Sequence, residues 1–139
     1  MMKQNFSLHP RLSADCHELG QLGQSRLLLL NNAHYKWFIL VPEVTVDQIH
    51  LLTQAEREAL QGTAQQLSEV VESLYEPQRI NVGALGNLVP QLHYHVVARH
   101  PEDPAWPGPV WGHSETMPFT AEEVEAIKSA LLERLPLQA

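Results

Sequence analysis

Two histidines, His93 and His95, stand one residue apart in the run Asn87-Leu88-Val89-Pro90-Gln91-Leu92-His93-Tyr94-His95-Val96-Val97-Ala98-Arg99. A strand sends alternate side chains to opposite faces, so the spacing predicts Gln91, His93, His95 and Val97 on one face and Leu92, Tyr94, Val96 and Ala98 on the other. The first set carries polar nitrogen and the second belongs to a core. Two imidazoles about 6.5–7 Å apart along a strand can attack, donate to or hold one shared anion, because histidine titrates nearest to neutrality. The pair admits two other readings. One is a pair of partly exposed strand histidines with no role; the other is a metal site completed by His100, His113 or a carboxylate. Strand parity puts His100 on the face opposite His95, which counts against it as the third ligand.

The elements that must hold this pair can be read along the chain. After an irregular opening punctuated by His9-Pro10, Gly20 and Gly23, the runs Arg26-Leu27-Leu28-Leu29-Leu30 and Trp37-Phe38-Ile39-Leu40-Val41 predict an antiparallel hairpin. Asn31-Asn32-Ala33-His34 is its polar connection. Thr53-Gln54-Ala55-Glu56 has capping-box spacing, and Leu60, Leu67, Val70, Val71 and Leu74 recur at helical intervals until Glu76-Pro77. A long amphipathic helix is therefore expected over roughly residues 54–75. Arg79-Ile80-Asn81-Val82-Gly83 reads as a strand, and Gly83-Ala84-Leu85-Gly86-Asn87 as a bend leading into the histidine strand.

From His100-Pro101 to Met117-Pro118 the chain holds five prolines, two tryptophans and two glycines without a sustained period, the pattern of a long loop. Trp106 and Trp111 there suit either anchoring a base or a partner subunit, or pinning the loop to the core. Thr120-Ala121-Glu122-Glu123 repeats the capping box, and Val124, Ile127, Leu131 and Leu135 mark one face of a final helix. The order predicts one α+β domain over residues 1–139, an antiparallel β-sheet with packed helices.

Bulk properties bound the function. A chain of 139 residues, 44% hydrophobic, can bury a core without staples. A formal charge of −7 with nine Lys and Arg argues against nucleic acid as a partner, while a small phosphate ester held by local donors stays open. Cys16 is the single cysteine, so intrachain disulfides and cysteine-based zinc sites are excluded and a reducing compartment is favoured. The opening Met1-Met2-Lys3-Gln4-Asn5-Phe6-Ser7 carries no hydrophobic signal core, and no apolar stretch approaches membrane-spanning length. The expectation is a soluble, cytoplasmic protein without a membrane partner.

Gln91-Leu92-His93-Tyr94-His95-Val96-Val97, together with Asn81, Gly83 and Gly86-Asn87 upstream, resembles the signature of the histidine triad superfamily, with glutamine in the first histidine's place. The likeness extends in weaker form from residue 27 through Arg99. Members of that superfamily are nucleotide hydrolases and nucleotidyl transferases. The resemblance implies cleavage of a dinucleoside polyphosphate or a nucleoside phosphoramidate through a covalent nucleotidyl-histidine, in a homodimer that takes a small-molecule nucleotide. By that match His93 is the nucleophile, and His95 donates to a phosphate oxygen or to the bridging oxygen. Gln91 takes the bracing place, Asn87 offers its amide to phosphate, and Asn32 grips the ribose hydroxyls. Strand parity adds Arg99 as a contact to a distal phosphate, or else as a solvated strand end.

No cofactor is required on this reading, since the donors are protein groups; a divalent cation bound to the substrate's phosphates is compatible with it. Two departures from the signature keep alternatives open. Gln91 can donate and accept but cannot titrate. Leu88 has no hydroxyl where relatives tend to have one. Weaker turnover, a changed substrate, a nucleotide sensor that binds without cleaving, and a His-x-His metal-binding domain all remain alternatives.

Overall fold

The computed structural model describes residues 6–139; most of the opening read above for its missing signal core lies outside them. Its framework is an antiparallel five-stranded sheet. The strands are β1 (Cys16–Leu22), β2 (Ser25–Leu30), β3 (Lys36–Pro42), β4 (Arg79–Gly83) and β5 (Tyr94–Arg99), in the order β1-β2-β3-β5-β4. Three α-helices accompany them among the described residues, α1 (Pro10–Asp15), α2 (Gln54–Tyr75) and α3 (Ala121–Leu132), with a 3-10 turn at Ile49–Leu51. No helix among the described residues is long and apolar enough to cross a membrane.

The sheet is covered on both faces, which explains why β2 reads as an unbroken leucine run. Leu27 and Leu29 point, with Phe38, Leu40, Tyr94, Val96 and Ala98, into a core built with Leu60, Leu67 and Val71 of α2 and Ile127 and Leu131 of α3. Leu28 points the other way, joining Trp37, Ile39, Val97, Leu12 of α1 and Val110 of the long loop. Alternation thus holds along β5 as expected, with Leu92, Tyr94, Val96 and Ala98 in the helix-side core. Both longer helices start as the sequence indicates. Thr53 with Glu56 and Thr120 with Glu123 form reciprocal capping boxes that satisfy backbone N–H groups of the first turn.

The irregular opening is in fact ordered as α1 and β1. Cys-His-Glu-Leu-Gly-Gln-Leu lacks a clear period because its register breaks at a bulge between Glu18 and Gly20. Gly20 has φ +147°, and a Cβ there would overlap the Gln138 carbonyl oxygen. That close approach lets Gln21 pair with Gln138 and seat the C-terminus against β1. The histidine strand also begins later than expected, at Tyr94 rather than near Asn87. Pro90 cannot donate to a ladder, and Gly86 turns the chain at φ +72°.

Arg99 corrects the sequence reading most sharply. It lies on the same face as His95, but it is 2% exposed and fully committed. Its Nε and Nη2 donate to Asp103 Oδ2 and Oδ1 at 2.9 and 3.1 Å, Nη1 to Asn81 Oδ1 at 2.8 Å and Nη2 to the Gly108 carbonyl at 2.8 Å. Asp103 also accepts from the backbone N–H of His100 and Trp106. Arg99 is thus the post around which the proline-rich loop folds, and Trp106 packs over its guanidinium at 5.7 Å. Burial pushes the Asp103 carboxyl up, but the Arg99 hydrogen bonds, the backbone donors and the guanidinium charge together hold it below its ordinary value.

Removing one partner of this buried pair strands the other charge. Asp103→Ala should cost about 3–5 kcal/mol in urea unfolding at neutral pH. Because the folded carboxyl titrates below the unfolded one, its contribution is complete above the ordinary carboxylate range and is lost as pH falls through the folded value. The gap between wild type and variant should therefore narrow in acid.

Candidate functional site

His93 and His95 open together onto a cavity of about 440 Å³, within the size range of small-molecule sites. The pairing of β3 with β5 and of β4 with β5 sets Ile39 and Gly83 on either side of His95. Trp37, two residues back on β3, reaches His95 diagonally on the same face. The apolar wall comprises Leu12, Leu30, Trp37, Ile39, Val110 and Trp111, while Asn87 and Arg11 stand at exposed positions of the lining. A second recess of about 310 Å³ shares His93, Leu85 and Gly86 with the first and adds Asp47, Gln48 and His50. His93 thus stands between two chambers.

The hydrogen bonds fix the proton on each ring. His93 Nδ1 lies 2.7 Å from the Gln91 backbone carbonyl oxygen. A carbonyl only accepts, so Nδ1 carries the proton and Nε2 keeps its lone pair. His95 is held the opposite way: Trp37 Nε1 donates to His95 Nδ1 at 2.9 Å. An indole only donates, so the His95 lone pair is on Nδ1 and its proton on Nε2. The rings meet edge to face with centroids 4.9 Å apart. Burial, and then the neighbouring His93, push the His95 pKa down to about 3, so its ring is neutral at physiological pH. The result is one imidazole with a free lone pair beside another with a free N–H.

Gln91 does not brace His93 through its side chain. The Gln91 amide oxygen accepts from the His9 backbone N–H at 2.7 Å, and the amide nitrogen donates to the Ser7 carbonyl at 2.9 Å. The bracing of His93 comes from the Gln91 main chain, which any residue would supply. Asn32 also corrects its expected place. It is 3% exposed and outside the cavity lining. Its amide donates to the Glu115 carbonyl and accepts from the N–H groups of His34 and Met117, closing the β2–β3 connection against the C-terminal side of the loop. Its amide is thus tied to the loop, away from the cavity where a ribose contact was expected.

Two lining residues, Trp37 and His50, escaped the sequence reading, and His113 entered it only as a possible metal ligand. Trp37 looked like core, and its role depends on which strand β5 pairs with. His50 and His113 reach the two recesses only through the fold. Of the two loop tryptophans, Trp111 lines the cavity, with its ring 5.5 Å from His95. Its Nε1–H is buried without a partner among the described residues. Cys16 also lines the cavity, but burial, aided by Asp15, raises its thiol to about 12, so it is a small apolar group rather than a nucleophile. The metal reading finds no donor set: among the described residues no three His, Cys, Asp or Glu side chains are grouped to hold an ion. His100 instead bonds the Tyr75 carbonyl at the end of α2.

The HIT domain model matches residues 11–102. Among solved structures, a histidine triad protein from Marinobacter aquaeolei VT8 is 42% identical, with TM-score 0.89 over 94% of this chain and 96% of its own. One from Bradyrhizobium japonicum is 37% identical, with TM-score 0.90 over 94% and 98%. Another, from Sinorhizobium meliloti 1021, is 35% identical, with TM-score 0.92 over 96% and 100%. No curated protein matches. With the family model spanning more than half of its length and these three structures superposing along almost all of it, the chain belongs to the histidine triad (HIT) family.

Proposed function

We propose that this protein hydrolyses a nucleotide phosphoanhydride through a nucleotidyl-His93 intermediate. The observation that carries the reading is the pair of one-way partners, the Gln91 carbonyl on His93 Nδ1 and the Trp37 indole N–H on His95 Nδ1, at the junction of two chambers. His93 Nε2 attacks the α-phosphorus, the Nε2–P bond forms, and the bridging P–O bond breaks with its electron pair leaving on the departing phosphate. The phosphoimidazolium that results keeps its Nδ1–H on the Gln91 carbonyl, a hydrogen bond that strengthens as the ring gains positive charge. Water then attacks phosphorus, the N–P bond breaks with its electron pair returning to Nε2 of neutral His93, and the water keeps one hydrogen as P–OH while its other proton passes to solvent. The His95 Nε2–H supplies a fixed donor where charge develops on phosphate oxygen, and such a donor is worth a few kcal/mol.

Chemistry also orders the two substrate classes. Neutral His95 has already committed Nδ1 to Trp37, and Gln91 cannot titrate, so the pair offers a hydrogen bond but no acidic proton. A phosphate leaving group departs without protonation, whereas an amine does not, which favours a dinucleoside polyphosphate over a phosphoramidate. The apolar cavity suits a base and sugar, and the recess with Asp47, Gln48 and His50 lies where the departing half would stand. Asn87 and the orphaned Trp111 N–H are donors for phosphate or base. Any divalent cation arrives with the substrate's phosphates. A homodimer belongs to the same proposal: Val82 on edge strand β4 and nearby Leu85 and Leu88 are exposed apolar groups.

Rapid quenching with a labelled adenine dinucleotide should trap label on His93, more slowly with a matched phosphoramidate. His93→Ala should lose both adduct and product while keeping its unfolding midpoint. Tight binding by wild type with no adduct over hours would replace hydrolysis with nucleotide sensing. Trp37→Phe removes the donor that fixes the His95 tautomer. Its kcat should fall about fivefold, the scale of one hydrogen bond of roughly 1 kcal/mol, as measured by steady-state kinetics.

A further inference from the structure

The Gln91 side chain has a job that the reaction above does not use. Its amide accepts from His9 N–H and donates to Ser7 C=O, so it brackets Leu8. This is the pattern that one backbone residue makes with its neighbour in a parallel ladder. The segment so held leads directly into α1, where His9 caps the helix by accepting from the Arg11 N–H and Pro10 occupies the first turn. From α1 come Leu12, buried against Trp37 and Ile39, and Arg11 and Asp15, paired at 2.9 Å. All three line the cavity beside His93, followed by Cys16 at the start of β1.

An amide is suited to this task in a way that imidazole is not. Its oxygen and nitrogen diverge from one carbon and can reach two groups of the same strand. The two nitrogens of an imidazole point to widely different directions across the ring. Glutamine in the motif's first position therefore has a structural advantage that a histidine there would forfeit.

We infer that Gln91 is a positioning residue that clasps residues 7–9, so that α1 forms the wall of the nucleotide cavity, and that it sets substrate binding rather than the reactivity of His93. The inference rests on the cavity beside His93 being the nucleotide site. It gives the Gln-for-His exchange a function of its own. The motif position two residues before the nucleophile serves to recruit the N-terminal segment, while the Gln91 main-chain carbonyl keeps the tautomer of His93.

The test compares Gln91→Ala and Gln91→His with wild type in three measurements: steady-state kinetics, AMP affinity, and hydrogen exchange of the amides in residues 8–16. Both variants should raise KM and weaken AMP by about tenfold, equivalent to about 1.4 kcal/mol. In both, kcat should stay within about threefold, roughly half of the 1.4 kcal/mol that a decade represents, and the His9 amide should lose protection. Leu12→Ala, which thins the wall but spares the clasp, should raise KM with the His9 amide still protected. A fall in kcat with KM and exchange unchanged would overturn the inference, as would a faster Gln91→His enzyme with its segment still protected. If wild type makes no His93 adduct, the hydrolase reading fails by itself. AMP affinity and exchange still decide the clasp: both must worsen in the Gln91 variants, and no change in either refutes it.

Discussion

The site depends on two rings being held in opposite protonation patterns by partners that cannot reverse them. A backbone carbonyl cannot donate and an indole cannot accept, so as neutral rings His93 and His95 have no alternative tautomers that keep both bonds. The consequence is a lone pair and an N–H side by side, which neutral imidazoles free in solution would show only part of the time. Burial enforces the neutral state of His95, because protonating that ring in its desolvated place beside His93 is unfavourable. His93 and His95 are 8% and 7% exposed, yet both line the cavity. They are desolvated by the protein but remain open to a ligand.

The fold serves that constraint through β5. Its helix-facing side chains are locked among leucines of α2 and α3, which pins the strand's rotation about its own axis. The opposite face is then free to project His95 toward Trp37 and Trp111. The buried Arg99–Asp103 pair closes the far end of the strand and folds residues 100–112 back over the sheet, bringing Val110 and Trp111 to the cavity. A charge that looked like a ligand contact is instead what shapes the loop that lines the cavity.

Much of this was legible in advance, for identifiable reasons. The period of two in residues 92–98, the capping boxes at Thr53 and Thr120 and the hairpin around Asn31 are local signals, and the structure follows them. Features set by distant pairing were not legible. Trp37 reads as one more apolar residue until β3 is known to lie beside β5. β1 is broken by a bulge whose reason, the approach of Gln138 to Gly20, lies more than a hundred residues away. Arg99 and Asn32 have the residue types of ligand contacts, but each finds its hydrogen-bond partners within the protein. Gln91 looked like a weakened histidine because its partners, Ser7 and His9, sit at the other end of the chain.

The central claim is the opposed pair of tautomers, and nitrogen-15 NMR of the two rings at neutral pH measures it directly. The account predicts His93 protonated on Nδ1 with a bare Nε2, and His95 protonated on Nε2 with a bare Nδ1, the latter unchanged as pH falls to about 5. Finding both rings in the same tautomer, or His95 becoming cationic near the ordinary histidine pKa, would contradict it.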